Sequence, residues 1–343
     1  MAVKRVDWDR LDDHVRVEHG SFDPDRLTLF SIFKNEIFFC KAFFDHYRRL
    51  GVEQFLILDD GSTDGTREFL CGQNDCVLLS SALGFEDPVE YFPTSGVQRS
   101  TRAAIFLKAA IPQFFLRDKY SIYADADEFL ILPPGMRDLF DVLEVLRREQ
   151  VGAVVSSLID FYPRNISETV SEKPDSSHRM FRMFPYFDCR RLVRLSFRGK
   201  PVPVYPSKLR DLAVEYGLRV ESRLRKRILQ RILNRALANA MSYKTPIVLH
   251  TPERYYMSSH RVRGRVGQNK ILSMSHFVFT PNSLHKAERI VAGGERRSMK
   301  YEALLGILEG NQKGEIPFIG VRSKRFETPQ QLIECGLMRW DVN

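Results

Sequence analysis

The sequence predicts an α/β fold, a mostly parallel sheet with helices on both faces and a C-terminal elaboration. Three observations carry that prediction. Short apolar runs alternate with amphipathic stretches of helix length from residue 25 to residue 160. Two of the runs, Gln54–Leu58 and Tyr120–Ala124, stop abruptly in carboxylates, and the carboxyl ends of strands are where open α/β sheets bind ligands. The chain has 343 residues, 43% of them hydrophobic, enough for one α/β domain with elaborations.

The elements follow in order. Residues 1–24 are polar and read as an N-terminal arm, without the basic start, apolar core and small-residue cleavage site of a signal peptide. Leu27–Phe33 reads as a strand, Glu36–Leu50 as a helix with Phe on one side, and Gln54–Leu58 as a strand. Thr63–Leu70 is a short helix that Thr63 would cap, and Cys76–Ser80 is a strand. Ser95–Phe115 reads as helix until Pro112 interrupts it. Tyr120–Ala124 is the next strand, Met136–Glu149 a helix, and Val151–Ile159 a strand that ends at Asp160. From residue 161 to 290 the periodicity weakens, and Phe161–Pro206 reads as loops with short strands; residues 291–343 are expected to be a helical segment.

Composition narrows the function classes. The most apolar stretch, Ala103–Leu116, is broken by Lys108 and Pro112, so no membrane span is expected. Five cysteines without a Cys-x-x-Cys spacing argue against a zinc site or a disulfide framework and fit a reducing cytoplasm. The formal net charge is +9, and much of the excess falls in 219–240, where Val220, Leu224, Ile228 and Ile232 recur at helical spacing among arginines. Such a basic amphipathic helix reads either as a peripheral contact with an anionic membrane or as a solvated helix packed on the domain. No nucleic-acid partner is expected, since none of the usual modules is present.

The acidic strand ends suggest the chemistry. Asp125 and Asp127 alternate, so in an extended chain they would share a face and Glu128 would take the other. Hard cations such as Mn²⁺ or Mg²⁺ take one or two protein carboxylates and complete their shell with water and phosphate oxygens. Upstream, Asp59 and Asp60 end a strand, Gly61 and Ser62 make a turn, and Asp64-Gly65 leads into a helix. That loop suits a nucleotide's base and ribose.

Asp59-Asp60-Gly61-Ser62-Thr63-Asp64-Gly65-Thr66 resembles the signature after the second strand of family 2-type glycosyltransferases with the GT-A (Rossmann-like) fold. Asp125-Ala126-Asp127-Glu128-Phe129 resembles their Asp-x-Asp metal motif, and Lys34-Asn35-Glu36 narrows the match to a subgroup with Lys-Asn-Glu and Asp-x-Asp-Glu-Phe. The likeness covers 27–160 well and extends loosely, through Lys244-Thr-Pro-Ile-Val, His260 and Ser275-His276-Phe277, to about residue 280. It implies a nucleotide-sugar-binding core at 25–160, an acceptor-side region at 161–290, and transfer of a sugar onto an acceptor hydroxyl. The implied donor is a nucleotide-sugar, expected to be a UDP-sugar; the implied acceptor is a saccharide or a lipid-linked one, as in bacterial surface polysaccharide or glycolipid assembly. The expected location is cytoplasmic or peripheral at the inner membrane face.

Within that frame Asp125, Asp127 and His276 are the expected metal ligands. Lys34, Asn35, Glu36, Asp59, Asp60, Gly61, Ser62, Asp64 and His260 are expected on the donor, and Arg99 and Arg102, three apart on a helix, are expected to face its pyrophosphate. Asp160 is the candidate catalytic base, because no convincing copy of the family's later Glu-Asp motif is found; inversion and retention both stay open. Two other classes compete. A sugar nucleotidyltransferase would carry a Gly-rich basic phosphate loop near the first strand, where Ser31–Glu36 has none. A non-catalytic membrane- or polymer-binding protein would have no need for the Asp125/Asp127 pair.

Overall fold

Strands that are apolar on both faces belong in the middle of a sheet covered on both sides. The computed structural model, which describes residues 3–93, 96, 98–169, 173–218, 242–258, 260–293 and 298–341, places them there. Ten strands form the main sheet: β1 (Val15–His19), β2 (Thr28–Phe33), β3 (Gln54–Asp59), β4 (Cys76–Ser81), β5 (Tyr120–Tyr123), β6 (Glu128–Ile131), β7 (Ala153–Asp160), β8 (Tyr243–Leu249), β9 (Lys270–His276) and β10 (Arg339–Trp340). Their spatial order is β10-β9-β7-β8-β5-β2-β3-β4-β1, with β6 also paired to β9.

Alternation along each central strand divides the core in two. Leu29, Phe33, Phe55 and Ile57 face one side and pack with the helices Ile37–Arg49 and Leu139–Arg148. Phe30, Ile32, Leu56 and Leu58 face the other and pack with the helix Ala103–Phe115 and the N-terminal Trp8 and Leu11. A third cluster, built from Leu209, Phe279, Leu284, Leu304 and Ile307, joins the helices Lys208–Glu215, Pro281–Ala292 and Ser298–Gln312. No described helix is long and apolar enough to cross a membrane.

Several expectations change. The sheet is mixed: four of its pairings are parallel and five antiparallel. Apolar patterning encodes burial and says nothing of strand direction. Residues 1–24 do more than form an arm, since Val15–His19 closes the sheet edge and Trp8 and Leu11 are buried. An edge strand with one solvated face reads as polar.

Arg99–Arg102 is a strand paired antiparallel with Pro88–Tyr91, and the helix starts only at Ala103. That helix continues through Pro112 to Phe115, one turn past the proline, with Pro112 itself buried in the core. Cys189 and Cys335 form a disulfide across 146 residues, a pairing that no local spacing reveals. It overturns the expectation of no disulfide and removes the cysteine-based argument for a reducing compartment; Cys40, Cys71 and Cys76 are free. The expected basic helix 219–240 lies outside the described residues.

Candidate metal and donor site

The loops Lys34–Glu36 and Asp60–Gly65 are built by stitching two strand ends together. Phe33 pairs with Asp59 across β2 and β3, so the turns that follow lie side by side. Asn35 takes a left-handed conformation (φ 57°), which Asn tolerates better than most residues. Its amide donates to Ser62 Oγ (2.9 Å), and its Oδ1 accepts from the Thr63 amide (2.7 Å). Asp64 accepts from the amides of Ile37 (3.1 Å) and Thr66 (3.0 Å), and Thr66 Oγ1 accepts from the Glu36 amide (2.9 Å). Gly61 (φ 72°) and Gly65 (φ 96°) supply the left-handed corners, and Gly65, not Thr63, precedes the helix Thr66–Cys71.

Asp59 is buried, accepts from the Ser62 amide, and lies 3.8 Å from Arg67. Lys34 pairs with Asp60 at 2.8 Å on the rim. Burial pushes the Asp60 carboxyl up, with Lys34 pulling it back. Ser62, Asp64 and Asn35 thus hold the loops together, while Lys34 pairs with Asp60 and Glu36 with Lys286.

The second strand end departs from the extended geometry expected of it. Asp125–Asp127 is a turn, closed by the Glu128 amide donating to the Asp125 carbonyl (3.0 Å), so alternation does not apply. The turn separates Asp125 from Asp127 and brings Asp127 next to Glu128. Register completes the centre. His276 lies opposite Glu128 across the antiparallel β9–β6 pair and opposite Asp160 across the parallel β9–β7 pair. One row across three strands therefore reads Glu128, His276, Asp160. Asp127, Glu128 and His276 offer ligand atoms all within 4.8 Å of one another.

Each member of the row has a distinct partner. His276 Nδ1 donates to Asp160 Oδ1 (2.7 Å), and its Nε2 lies 3.5 Å from Asp127 Oδ2. Asp160 is buried and its Oδ2 accepts from the Leu209 amide (3.0 Å), so both its oxygens are engaged. Burial opposes charge on His276, but Asp127, Asp160 and Glu128 outweigh it and push its pKa up to about 9.

Asp125 belongs to a different group. Lys244 contacts both Asp125 Oδ2 and Glu128 Oε1, the latter at 2.8 Å, and Lys108 lies 3.3 Å from Asp125 Oδ1. The Tyr123 hydroxyl donates to Asp125, and both ammonium groups sit over the Tyr123 ring, at 5.0 and 5.5 Å from its centroid. Burial would raise the Asp125 pKa, but the two lysines and these hydrogen bonds hold the carboxyl well below the usual range. Burial also opposes charge on Lys244, and its two carboxylates more than compensate.

No protein-family model matches this chain, and no curated protein matches it.

The site is therefore read from its own chemistry. A carboxylate and an imidazole Nε2 whose Nδ1 is held by a second carboxylate suit a divalent cation such as Mn²⁺, with water and phosphate completing the shell. Asp127 and His276 fit that role. Glu128 adjoins them with Lys244 on one oxygen, and Asp125 is engaged by two cations. His260 lies beside this group: its Nδ1 donates to the Tyr243 carbonyl (2.7 Å), and burial, with Lys244 nearby, lowers its pKa to about 3. Arg99 and Arg102 are three apart in a strand and so face opposite sides; Arg102 pairs with Glu86 (2.7 Å), whose charge is felt by Asp60, and Arg99 interacts with Tyr91.

Four lysines and one carboxylate were not legible as site residues. Lys108 reads only as a break in an apolar run, and Glu128 as the residue facing away. Lys244 lies in the loosely matched string. Lys286 pairs with Glu36 at 2.9 Å, and Lys300 lies within electrostatic range of Asp127, Asp160, Lys286 and Arg210. Protein crowding around Lys300 and those neighbouring cations lower its pKa, against the pull of Asp127 and Asp160.

Proposed function

We propose that this chain is a metal-dependent glycosyltransferase that moves a sugar from a nucleotide-diphosphate donor to an acceptor hydroxyl. The observation that carries the reading is the grouping of Asp127, Glu128 and His276, with Asp127 close enough to act on Glu36 at the end of the loop that is stitched to Asp59–Asp64. Glu36 links the two halves: it starts the helix beside the donor loops, and its carboxyl feels both Asp127 and Asp125.

A bound Mn²⁺ or Mg²⁺ would neutralise charge that develops on the leaving diphosphate. The chain's own residues do the rest. Asp127 and His276 would hold the ion, and Asp160 fixes the His276 ring through Nδ1, so that Nε2 is the atom that would give up its proton to the cation. That makes Asp160 a positioning residue in place of the base the sequence suggested. Lys34 and Asp60 form the donor rim. Glu36 is the carboxylate suited to take the acceptor's proton: burial, partly countered by Lys286, pushes its pKa up to about 7. The acceptor we envisage is a saccharide, free or lipid-linked.

Calorimetry with UDP, GDP, ADP and CDP, with and without Mn²⁺, tests the reading. One diphosphate should bind only with metal, and Asp127→Ala should abolish that binding. Absence of metal-linked binding for every nucleotide would remove the proposal.

A further inference from the structure

The helices Pro281–Ala292 and Ser298–Gln312 bring a second set of charges to the cleft. Lys286 and Arg289 are three apart on one helix and so share a face. With Lys173, His285, Asn282 and Asn35 they line a cleft of about 360 Å³. The one carboxylate in its lining, Asp64, already accepts from Ile37 and Thr66 amides. Among the described residues no carboxylate pairs with Lys173 or Arg289. Lys286 is shared: it lines this cleft, holds Glu36, and feels Asp127. Lys300 stands at the metal side of the same wall.

A cleft with two cations that have no carboxylate partner among the described residues, a third shared with Glu36 and two amides, against the single carboxylate Asp64, suits an anion bearing hydroxyls better than a neutral sugar. We infer that this cleft is a subsite for the phosphate or carboxylate of an acidic acceptor saccharide, held by Lys173, Lys286 and Arg289 and separated from the metal centre by the Glu36–Lys286 pair. The word acceptor rests on the glycosyltransferase reading; the anion subsite does not. Asn282 supplies a donor and an acceptor for ring hydroxyls, Asn35, its Oδ1 held by the Thr63 amide, supplies its side-chain NH2, and Lys286 couples occupancy of the subsite to the carboxylate proposed as base.

The test uses glucose 6-phosphate, glucuronate and glucose as probes, followed by ligand-observed NMR on the full chain without metal. Glucose 6-phosphate and glucuronate should bind and glucose should not. Lys173→Glu combined with Arg289→Glu should weaken the acids at least tenfold, and the milder Lys173→Gln/Arg289→Gln pair should weaken them with an unchanged thermal melt. Asp127→Ala should leave them bound. Equal binding of glucose, no binding of either acid, or affinity untouched by both paired variants would overturn the subsite. Loss in Asp127→Ala alone would place the anion at the metal centre and overturn it as well. UDP titrated with Mn²⁺ against the charge-reversed protein reports separately on the glycosyltransferase reading: that binding should persist, and its absence from the wild type too would remove the reading while leaving the anion result standing.

Discussion

Lys244 lies 119 residues from Asp125 in sequence and contacts it in the fold, with almost no exposure to water. A buried ammonium between the buried Glu128 and the half-buried Asp125 is held by charge balance, so removing it leaves Glu128 without its ion pair and Asp125 with Lys108 alone. Lys244→Met should cost about 3–5 kcal/mol in urea unfolding. Adding Glu128→Gln should recover part of that loss, with a double-mutant coupling above about 1 kcal/mol; strict additivity would refute the clasp. Asp160→Asn keeps the shape but exchanges a carboxylate for an amide behind His276. It should weaken Mn²⁺ binding by roughly 10–100-fold, as read by calorimetry. Glu36→Gln should lower transfer by roughly 10²–10⁴-fold without changing Mn²⁺ affinity. The wild-type rate should then rise with pH through about 7, because a base must be deprotonated and Glu36 loses its proton there. A rate flat from pH 6 to 8 would assign the proton to another group.

At the scale of elements, what was legible is what burial dictates. The runs Leu27–Phe33, Gln54–Leu58 and Tyr120–Ala124 became β2, β3 and β5 within a residue or so, because strands buried on both faces must be apolar throughout. Two of these runs end in carboxylates, and these marked the candidate site because an acid at the end of such a run needs polar partners, as Asp59 finds in the Ser62 amide and Arg67. The direction of β8 and the pairing of β9 with β6 were not legible, since a strand's composition is the same whichever way it runs. That pairing is what sets Glu128 beside His276, and so Glu128 was missed. Arg99–Arg102 was misread because a polar edge strand and an exposed helix face have similar compositions.

The edge strand β1 depends on the glycine that follows it. Gly20 has φ 78°, and a Cβ there would meet the Cys76 carbonyl oxygen at 2.4 Å. Gly20→Ala should therefore destabilise the chain by more than the ~1 kcal/mol of an ordinary incompatible glycine site. Faster hydrogen exchange at Val15–His19 is the expected signature, and unchanged exchange would mean the edge can shift to accept a methyl.

Across the whole molecule, acid should be more damaging than base. Burial lowers His46 to about 4, and His250 and His260 to about 3, from an ordinary value near 6.5. These groups are neutral when folded, so their contribution is present above pH 6.5 and is lost as pH falls toward 3–4, where only the unfolded chain takes up the protons. Glu36 and His276 act oppositely: their raised pKa values favour the folded state in acid, below about 4.5 for Glu36 and below 6.5 for His276, and that gain fades as pH rises through about 7 and about 9 respectively. Near pH 5.5 three histidine protons outweigh one carboxyl proton, a net slope of roughly 3 kcal/mol per pH unit. Urea midpoints at pH 5.5 and 4.5 should show the fall; equal midpoints would mean these rings charge without cost.

The Cys189–Cys335 bond turns residues 189–335 into a covalent ring that carries Lys244, His276, Lys286 and Lys300, while Asp125, Asp127, Asp160 and the loops at Lys34–Glu36 and Asp59–Asp64 stay on the open stretch of chain before it. One peptide cut anywhere between those cysteines opens the ring without releasing a fragment. Nicked protein should run as a single species on a gel without reductant and as two with it, so half of the candidate site would stay tethered to the other half after a single proteolytic event.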